Sequence, residues 1–108
     1  MSPAINLNRN EPLTEFCDEC CGIYFRSVLL PVPHTRIPQH VHVHDHATLV
    51  ASGRARVFVN GRCLGDFPAG HAVPVMAGQE HEFESLEADT RLVCVHNVES
   101  ATAIKGEL

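Results

Sequence analysis

The chain is short of aromatic residues and of positive charge. Tryptophan is absent and aromatic residues make up 6% of the 108 positions, so we expect no stacking platform for single-stranded nucleic acid or sugar. Eight Lys and Arg stand against thirteen Asp and Glu, which gives a net charge of -5. Because nucleic acid and anionic lipid both require a basic face, this balance predicts neither as a partner.

Long apolar segments are also missing. No run approaches the roughly 20 apolar residues of a membrane helix, and the first residues, MSPAINLNRNEPL, have neither the basic start nor the apolar core of a secretion signal. The sequence therefore predicts no membrane partner and a cytoplasmic location. The five cysteines are an odd number, and without a secretion signal we expect them to be mostly reduced.

Three of the cysteines form a CxxCC cluster at Cys17, Cys20 and Cys21. Such a cluster could bind zinc or carry out thiol chemistry. No second cysteine pair follows it at the spacing of a zinc finger. The cluster alone therefore predicts no site.

Size and composition indicate one domain. A chain of 11.9 kDa with 44% hydrophobic and 19% charged residues is expected to bury roughly 65% of its extended surface in a single core. Residues 1–15 are polar and contain prolines, and we interpret them as an N-terminal arm. Residues 16–108 contain no repeat or linker and are interpreted as one domain.

Short strands dominate the predicted secondary structure. No window shows the 3.6-residue apolar period of a helix, whereas runs of β-branched and aromatic residues alternate with turn signals. The strongest of these signals is Asn60-Gly61, which is typical of a two-residue hairpin. We expect about eight strands that begin after the cysteine cluster, with residues 39–52 in one extended run and Pro74 at an edge or bulge. The fold class is all-β, as a sandwich, barrel or jelly roll.

Histidine is the anomaly of this sequence. Eight occur in the chain, and four of them, His40, His42, His44 and His46, fall within seven residues. In an extended strand, residues spaced by two point to the same side, so the four imidazoles would lie on one face of the strand. Neutral imidazole suits Zn, Cu, Fe and Ni. Because the cluster is internal and includes strand-forming valines, it predicts a metal site that a histidine from a neighbouring strand completes.

This stretch resembles the first motif of the cupin family of small β-barrels. That motif is a His-x-His pair, a Glu three or four residues later and a Gly after six more. His40-Val41-His42, His46 and Gly53 have this spacing, with histidine where the family usually has Glu.

A second stretch resembles the family's second motif, which runs Gly, five residues, Pro-x-Gly, two residues, His, three residues, Asn. Gly70, Met76-Ala77-Gly78, His81 and Ser85 reproduce the spacing, with Met76 replacing the Pro and Ser85 the Asn. The two motifs cover about residues 34–86. The resemblance implies a double-stranded β-helix, or jelly-roll barrel.

The resemblance also implies a metal site and an oligomeric state. Carried over by position, the ligands are His40, His42, His46 and His81, and the cofactor is one divalent transition metal ion, which could be Fe, Mn, Ni, Zn, Cu or Co. His44 lies outside the motif; it could replace His46 if the strand bends, or line the pocket. Small cupins commonly pair, so we expect a homodimer that exchanges residues 1–15 or the strand at residues 22–30.

Two functions remain open from the sequence. Four neutral imidazoles leave the full charge of a divalent ion, which favours an anionic ligand. The first hypothesis is therefore a mononuclear metal-dependent enzyme, dioxygenase-like, that acts on a small anionic or enolisable molecule. The alternative is a non-catalytic module that binds or senses a small molecule or metal, with its four-coordinate site closed. His34 and His71 are interpreted as loop or exposed residues, whereas parity alone does not decide whether Cys94 and His96 line the interior.

Overall fold

The computed structural model describes residues 10–41 and 45–97, with the backbone alone at residues 39 and 40. These residues form nine strands and confirm the all-β class. In chain order the strands are β1 Leu13–Cys20, β2 Ile23–Leu30, β3 Arg36–Val41, β4 His46–Ser52, β5 Arg54–Val59, β6 Arg62–Pro68, β7 Ala72–Val75, β8 Glu80–Ser85 and β9 Thr90–Asn97. Within the described part of the chain there is no helix long and apolar enough to cross a membrane.

The strands form two antiparallel sheets that share one core. Sheet A has five strands in the order β1-β2-β9-β4-β7, and sheet B has four in the order β3-β8-β5-β6. Pro74 lies on β7, the edge strand of sheet A, where the missing N–H of a proline costs no hydrogen bond on its outer side. The expected edge position of this proline is confirmed.

The predicted hairpin joins β5 to β6. Asn60 and Gly61 have φ angles of 51° and 78°, as a turn that matches the twist of the two strands requires. The Asn60 side-chain oxygen also accepts a hydrogen bond from the Glu80 N–H at 3.0 Å, and the Asn60 N–H donates to the Glu80 carbonyl at 2.7 Å. The hairpin tip therefore fixes the start of β8, which carries His81.

Gly53 occupies the turn where the chain leaves sheet A for sheet B. Its φ is 75°, and a Cβ added there would lie 2.2 Å from the Thr90 hydroxyl oxygen and 2.7 Å from the Thr90 Cα. Both the backbone angle and the contact exclude a larger residue at this turn. The glycine of the first motif is therefore a requirement of the crossing between the sheets.

Nine apolar residues make up the buried core between the two sheets. All are at most 2% exposed; they are Val28, Leu30, Val50, Ala55, Val57, Val73, Val75, Phe83 and Leu92. Ile37, Val59 and Phe67 pack against this cluster from its margin. Most members are β-branched, which suits a pleated, half-buried surface.

Two expectations about strand positions were wrong. The first strand begins at Leu13, before the cysteine cluster, so the last three residues of the predicted arm belong to β1. All eight residues of β1 are exposed, because it is an edge strand bonded to β2 through the backbone, and such a strand carries no apolar alternation. Residues 1–9 of the predicted arm lie outside the described residues.

The second error concerns residues 39–52, which do not form one strand. β3 ends at Val41 in sheet B and β4 begins at His46 in sheet A. The chain changes sheets between them, and no glycine or proline marks the crossing in the sequence. His40 and His46 therefore lie on strands of opposite sheets, so the four histidines do not share one strand as expected.

Candidate metal centre

The space between the sheets has an apolar end and a polar end. Along four strands the inward residues change character from one end to the other, since alternate residues of a strand share a face. At the apolar end they are Val28, Leu30, Val50, Phe83 and Leu92. At the polar end they are Tyr24 and Arg26 on β2, His46 and Thr48 on β4, His81 on β8, and Cys94 and His96 on β9.

His46 and His81 meet across the two sheets at the polar end. Their ring centroids are 5.5 Å apart at an interplanar angle of 66°. His81 is 1% exposed and His46 9%. Two of the four predicted ligands, 35 positions apart in the sequence, are thus brought together in a buried setting.

Of the other two predicted ligands, the structure describes only the backbone of His40. His40 is the register partner of His81 on the neighbouring strand β3, so its backbone lies beside that of a predicted ligand. His42, and the alternative ligand His44, lie outside the described residues. Within residues 10–41 and 45–97, no group of three or more His, Cys, Asp or Glu side chains is placed to hold a metal ion. The four-histidine site therefore stays a prediction.

The turn at residues 76–79 positions β8 against the start of β4. The Ala77 N–H donates to the Asp45 carboxylate at 2.7 Å, and the Met76 N–H donates to the Gln79 side chain at 3.1 Å. Gly78 has a φ of 83°, which a glycine adopts without strain. The bond to Asp45 connects the residue before His46 to the turn that precedes His81.

Tyr24 and His96 extend the polar end along sheet A. Their rings lie 4.8 Å apart between centroids, and the two residues are register partners on β2 and β9. Burial raises the pKa of the Tyr24 phenol, and its interaction with the nearby Cys17 thiol raises that pKa further, whereas the positive charge of Arg26 lowers it. Tyr24 is therefore a neutral hydrogen-bonding group at neutral pH.

A second row of this sheet contains Cys17, Arg26, Cys94 and Thr48, which are register partners from β1 to β4. Burial raises the pKa of the Cys94 thiol, although its contact with the Thr48 hydroxyl at 3.7 Å and the positive charge of Arg26 both lower it. Arg26 is exposed, and its Nε donates to the Thr14 hydroxyl at 3.2 Å. It makes no ion pair with any other described residue, so its positive charge is available to an anion at the polar end.

The remaining sequence candidates lie elsewhere. His34 is a turn residue with φ 67°, and its Nδ1 lies 2.7 Å from the Glu84 carboxylate on the outside of sheet B. His71 is exposed beside β7. All five cysteines are free thiols, and the three of the CxxCC cluster are exposed on β1 and its turn. Of the residues in this group, only Cys94 and, at the rim, Cys17 belong to the polar end.

Sequence reasoning left three residues of the polar end unassigned. The strands that carry Tyr24, Arg26 and His96 were predicted correctly. Alternation divides the residues of a strand between two faces, but it does not identify the face that is turned inward. One signal could have placed His96. It shares parity with Leu92, and a leucine within a strand favours the buried face.

Comparisons with known proteins bear on the fold. The sequence matches no family model and no curated protein. Solved structures do match. KdgF from Halomonas sp. has a TM-score of 0.65 at 18% identity, over 78% of this chain and 74% of that chain. An RmlC-like cupin with a double-stranded β-helix fold from Methanocaldococcus jannaschii has a TM-score of 0.66 at 12% identity, over 80% and 79%.

A third solved structure has the highest identity of these three. It is a conserved Klebsiella pneumoniae protein with a double-stranded β-helix domain, with a TM-score of 0.65 at 26% identity, over 79% of this chain and 75% of that chain. Together with the two sheets described above, these likenesses confirm the predicted double-stranded β-helix. At such identities they concern the arrangement of the strands.

Proposed function

We propose that this chain, which has the cupin fold, holds one divalent transition metal ion at His40, His42, His46 and His81. We further propose that it is a dioxygenase-like enzyme acting on a small anionic or enolisable molecule. A buried pair of imidazoles carries this proposal. Two different sheets hold His46 and His81 with their ring centroids 5.5 Å apart, and both residues are at most 9% exposed.

The chemistry of these residues fits a metal ion. Metal–nitrogen bonds of imidazole are about 2.0–2.1 Å long, so ring nitrogens of both histidines can reach one ion. The Nδ1 of His81 lies 3.5 Å from the Gln79 carbonyl oxygen. A proton on Nδ1 would point to that carbonyl, which would leave Nε2 as the ligand atom, an arrangement common among metal-binding histidines.

Arg26 supports the anionic class of substrate. It lies on the inner face of β2, two strands from β4, in register with Cys94 and Thr48. Two strand spacings are roughly 10 Å, a distance that the Arg26 side chain would have to span, by leaving the Thr14 hydroxyl, to contact a small carboxylate beside His46. Guanidinium groups bind carboxylates through paired, charge-assisted hydrogen bonds.

The bound ion would supply a Lewis acid with room for a substrate oxygen. This chain's own residues then have separate tasks. Arg26 would orient the anion, and Tyr24 would offer a neutral hydroxyl. The core residues Val75 and Phe83 exclude water beneath the histidines, since Val75 is the register partner of His46 and the Phe83 ring lies 5.8 Å from that of His81.

Metal analysis of the untagged chain tests the proposal. The wild type is expected to retain one equivalent of Fe, Mn, Ni, Zn, Cu or Co per chain after loading and dialysis. His81→Ala, and the double variant His40→Ala with His42→Ala, are expected to retain none. His71→Ala is the matched control, because this exposed histidine lies outside the polar end, and it should retain the full equivalent.

Two results would contradict the proposal at different levels. Metal retained by His81→Ala, or none in the loaded wild type, would refute the ligand assignment. A four-coordinate ion without bound water, detected by X-ray absorption, would instead favour the binding or sensing module, because a closed site has no position for substrate. An ion with five or six ligands and bound water would favour the enzyme.

A further inference from the structure

Two side chains hold the turn between β7 and β8, at residues 76–79. The Ala77 N–H donates to the Asp45 carboxylate at 2.7 Å, and the Met76 N–H donates to the side-chain oxygen of Gln79 at 3.1 Å. The Gln79 N–H donates in turn to the Met76 carbonyl at 3.1 Å. The first two N–H groups of the turn therefore both have a side-chain acceptor, and one of these acceptors lies 32 positions away in the sequence.

The first residue of this turn departs from the cupin motif, since Met76 stands where the motif has proline. A proline has no N–H that requires an acceptor, and its ring fixes φ at about −65°. A methionine has such an N–H, and its φ is not fixed by a ring. Gln79 supplies the acceptor from within the turn. In this chain, hydrogen bonds from side chains thus restrict the turn that a proline ring would otherwise restrict.

The turn contacts the surroundings of both buried histidines. Asp45 directly precedes His46, and His46 is the register partner of Val75, the residue before the turn. At the other end of the turn, the Gln79 carbonyl oxygen lies 3.5 Å from the Nδ1 of His81. A displacement of the turn would therefore move the His81 ring relative to that of His46.

The turn is also the direct covalent connection between the two sheets at this end of the sandwich. β7 is bonded to β4 in sheet A, whereas β8 is bonded to β3 and β5 in sheet B. Asp45 is exposed, so its side chain contributes little buried area to the stability of the fold. An effect of Asp45 on the histidines can therefore be separated from an effect on folding.

We propose that Asp45 and Gln79 are positioning residues for the metal ion. Their bonds to the turn fix the position of His81 relative to His46. The Gln79 carbonyl holds the proton on Nδ1 of His81, which leaves Nε2 for the ion. This role rests on the proposed metal site, because it acts through two of its ligands. Outer partners of metal-binding histidines typically change the metal affinity about 10- to 100-fold when they are removed.

The test is the dissociation constant of Co²⁺ for the full, untagged chain, measured by competition with a chelator. Asp45→Ala is expected to raise this constant about 10- to 100-fold. Gln79→Ala, which removes the other side-chain bond of the turn, is expected to raise it about tenfold. Asp45→Asn keeps an oxygen that can accept from the Ala77 N–H, so its constant should stay within about threefold of that of the wild type.

A second substitution and a control sharpen the test. Combined with Gln79→Ala, Met76→Pro removes the N–H that has lost its acceptor, and this double variant should bind Co²⁺ as the wild type does. A double variant that binds as weakly as Gln79→Ala would contradict the part assigned to Gln79. Asp66→Ala is the matched control, because it removes an aspartate that is bonded to Arg56 on the outer face of sheet B. It should leave the dissociation constant unchanged.

The outcomes separate this role from the metal site itself. A wild type that binds no Co²⁺ would refute the proposed site. A wild type that binds Co²⁺ no more tightly than Asp45→Ala and Gln79→Ala would refute the positioning role alone. If Asp45→Asn bound as weakly as Asp45→Ala, the charge of Asp45 and not its hydrogen bond would be responsible, which also overturns the proposal. Should Asp45→Ala not fold, Gln79→Ala provides the same comparison with the wild type.

Discussion

The same strands supply both ends of the sandwich interior, but the two ends have different functions. At the apolar end Val50 and Leu92 are fully buried and fill the space between the sheets. At the polar end, on the same two strands, His46 and His96 are each 9% exposed. The first end supplies the hydrophobic stabilisation of a small domain. The second gives up part of that stabilisation to bring ligands and hydrogen-bonding groups together.

Leu92→Ala should produce the largest change in the free energy of unfolding, and it tests whether the two ends have separate roles. Removing a fully buried leucine costs about 3–5 kcal/mol of unfolding free energy, because a cavity remains. His46→Ala is expected to cost less, since an imidazole near the opening contributes less apolar surface. Denaturant unfolding of both metal-free variants, with metal analysis of the folded protein, separates the two roles.

Metal binding should respond in the opposite order. Leu92→Ala is expected to keep the full metal content under conditions where it is folded, whereas His46→Ala loses it. If Leu92→Ala lost the metal while folded, or if His46→Ala proved the more destabilising, the two ends would not be functionally separate.

Arg26→Gln is expected to have an intermediate effect, confined to anion binding. Loss of a charged hydrogen-bond donor should weaken the binding of oxalate to the metal-loaded chain about 10- to 100-fold, as measured by calorimetry. Metal content should not change, so a failure of the metal site itself would be recognised in the same samples. Arg26→Lys should keep part of the affinity.

Arg62→Gln, which removes an exposed arginine on β6 of sheet B, is the control and should bind oxalate as the wild type does. Equal affinities of Arg26→Gln and the wild type would assign no role to Arg26. The polar end would then consist of the histidines and their neighbours alone.

Cys94, at the polar end, should show the smallest effect. Because burial raises the pKa of its thiol, its thiolate fraction at neutral pH is low, and alkylation in the native protein should be at least about tenfold slower than that of the exposed Cys63. Thr48→Val removes a hydrogen bond that lowers this pKa and should slow the reaction further. Mass spectrometry of alkylated peptides measures both rates.

The same shift predicts a pH dependence of stability. A thiol whose pKa is raised on folding above the ordinary 9.0 contributes stability below pH 9.0 that is lost as the pH rises through its folded value. Cys94→Ala should remove this part of the alkaline decline in the free energy of unfolding. Equal alkylation rates of Cys94 and Cys63 in the native protein would contradict the assumed burial of the thiol.

Local sequence signals predicted the position of the β5–β6 hairpin closely. The Asn60-Gly61 turn and strand β5 occur where the sequence placed them, since a hairpin turn is specified by residues that tolerate positive φ. The edge strand β1 was missed, because its hydrogen bonds are made by the backbone and leave its side chains unconstrained. A strand exposed on both sides has no pattern to read.

The candidate site was predictable only in part. The excess of histidine and its spacing predicted metal ligands within residues 40–46, and the resemblance added His81. The change of sheet between β3 and β4 was not visible, because a crossing of this kind needs neither glycine nor proline. The sequence also offered no reason to prefer the inner or the outer face for Arg26, since a half-buried strand with polar residues on both faces has the same pattern in either orientation.

By itself, the sequence determined the all-β class, the positions of most turns and the concentration of imidazole in a small domain, because these depend on backbone propensity and composition. Only the tertiary structure decided that His46 meets His81, that Arg26 and Tyr24 face inward, and that the inward polar residues of sheet A gather at one end of the sandwich. These three depend on which strands are neighbours and which face meets the opposite sheet. Contacts between residues distant in sequence, and not alternation along a strand, determine that choice.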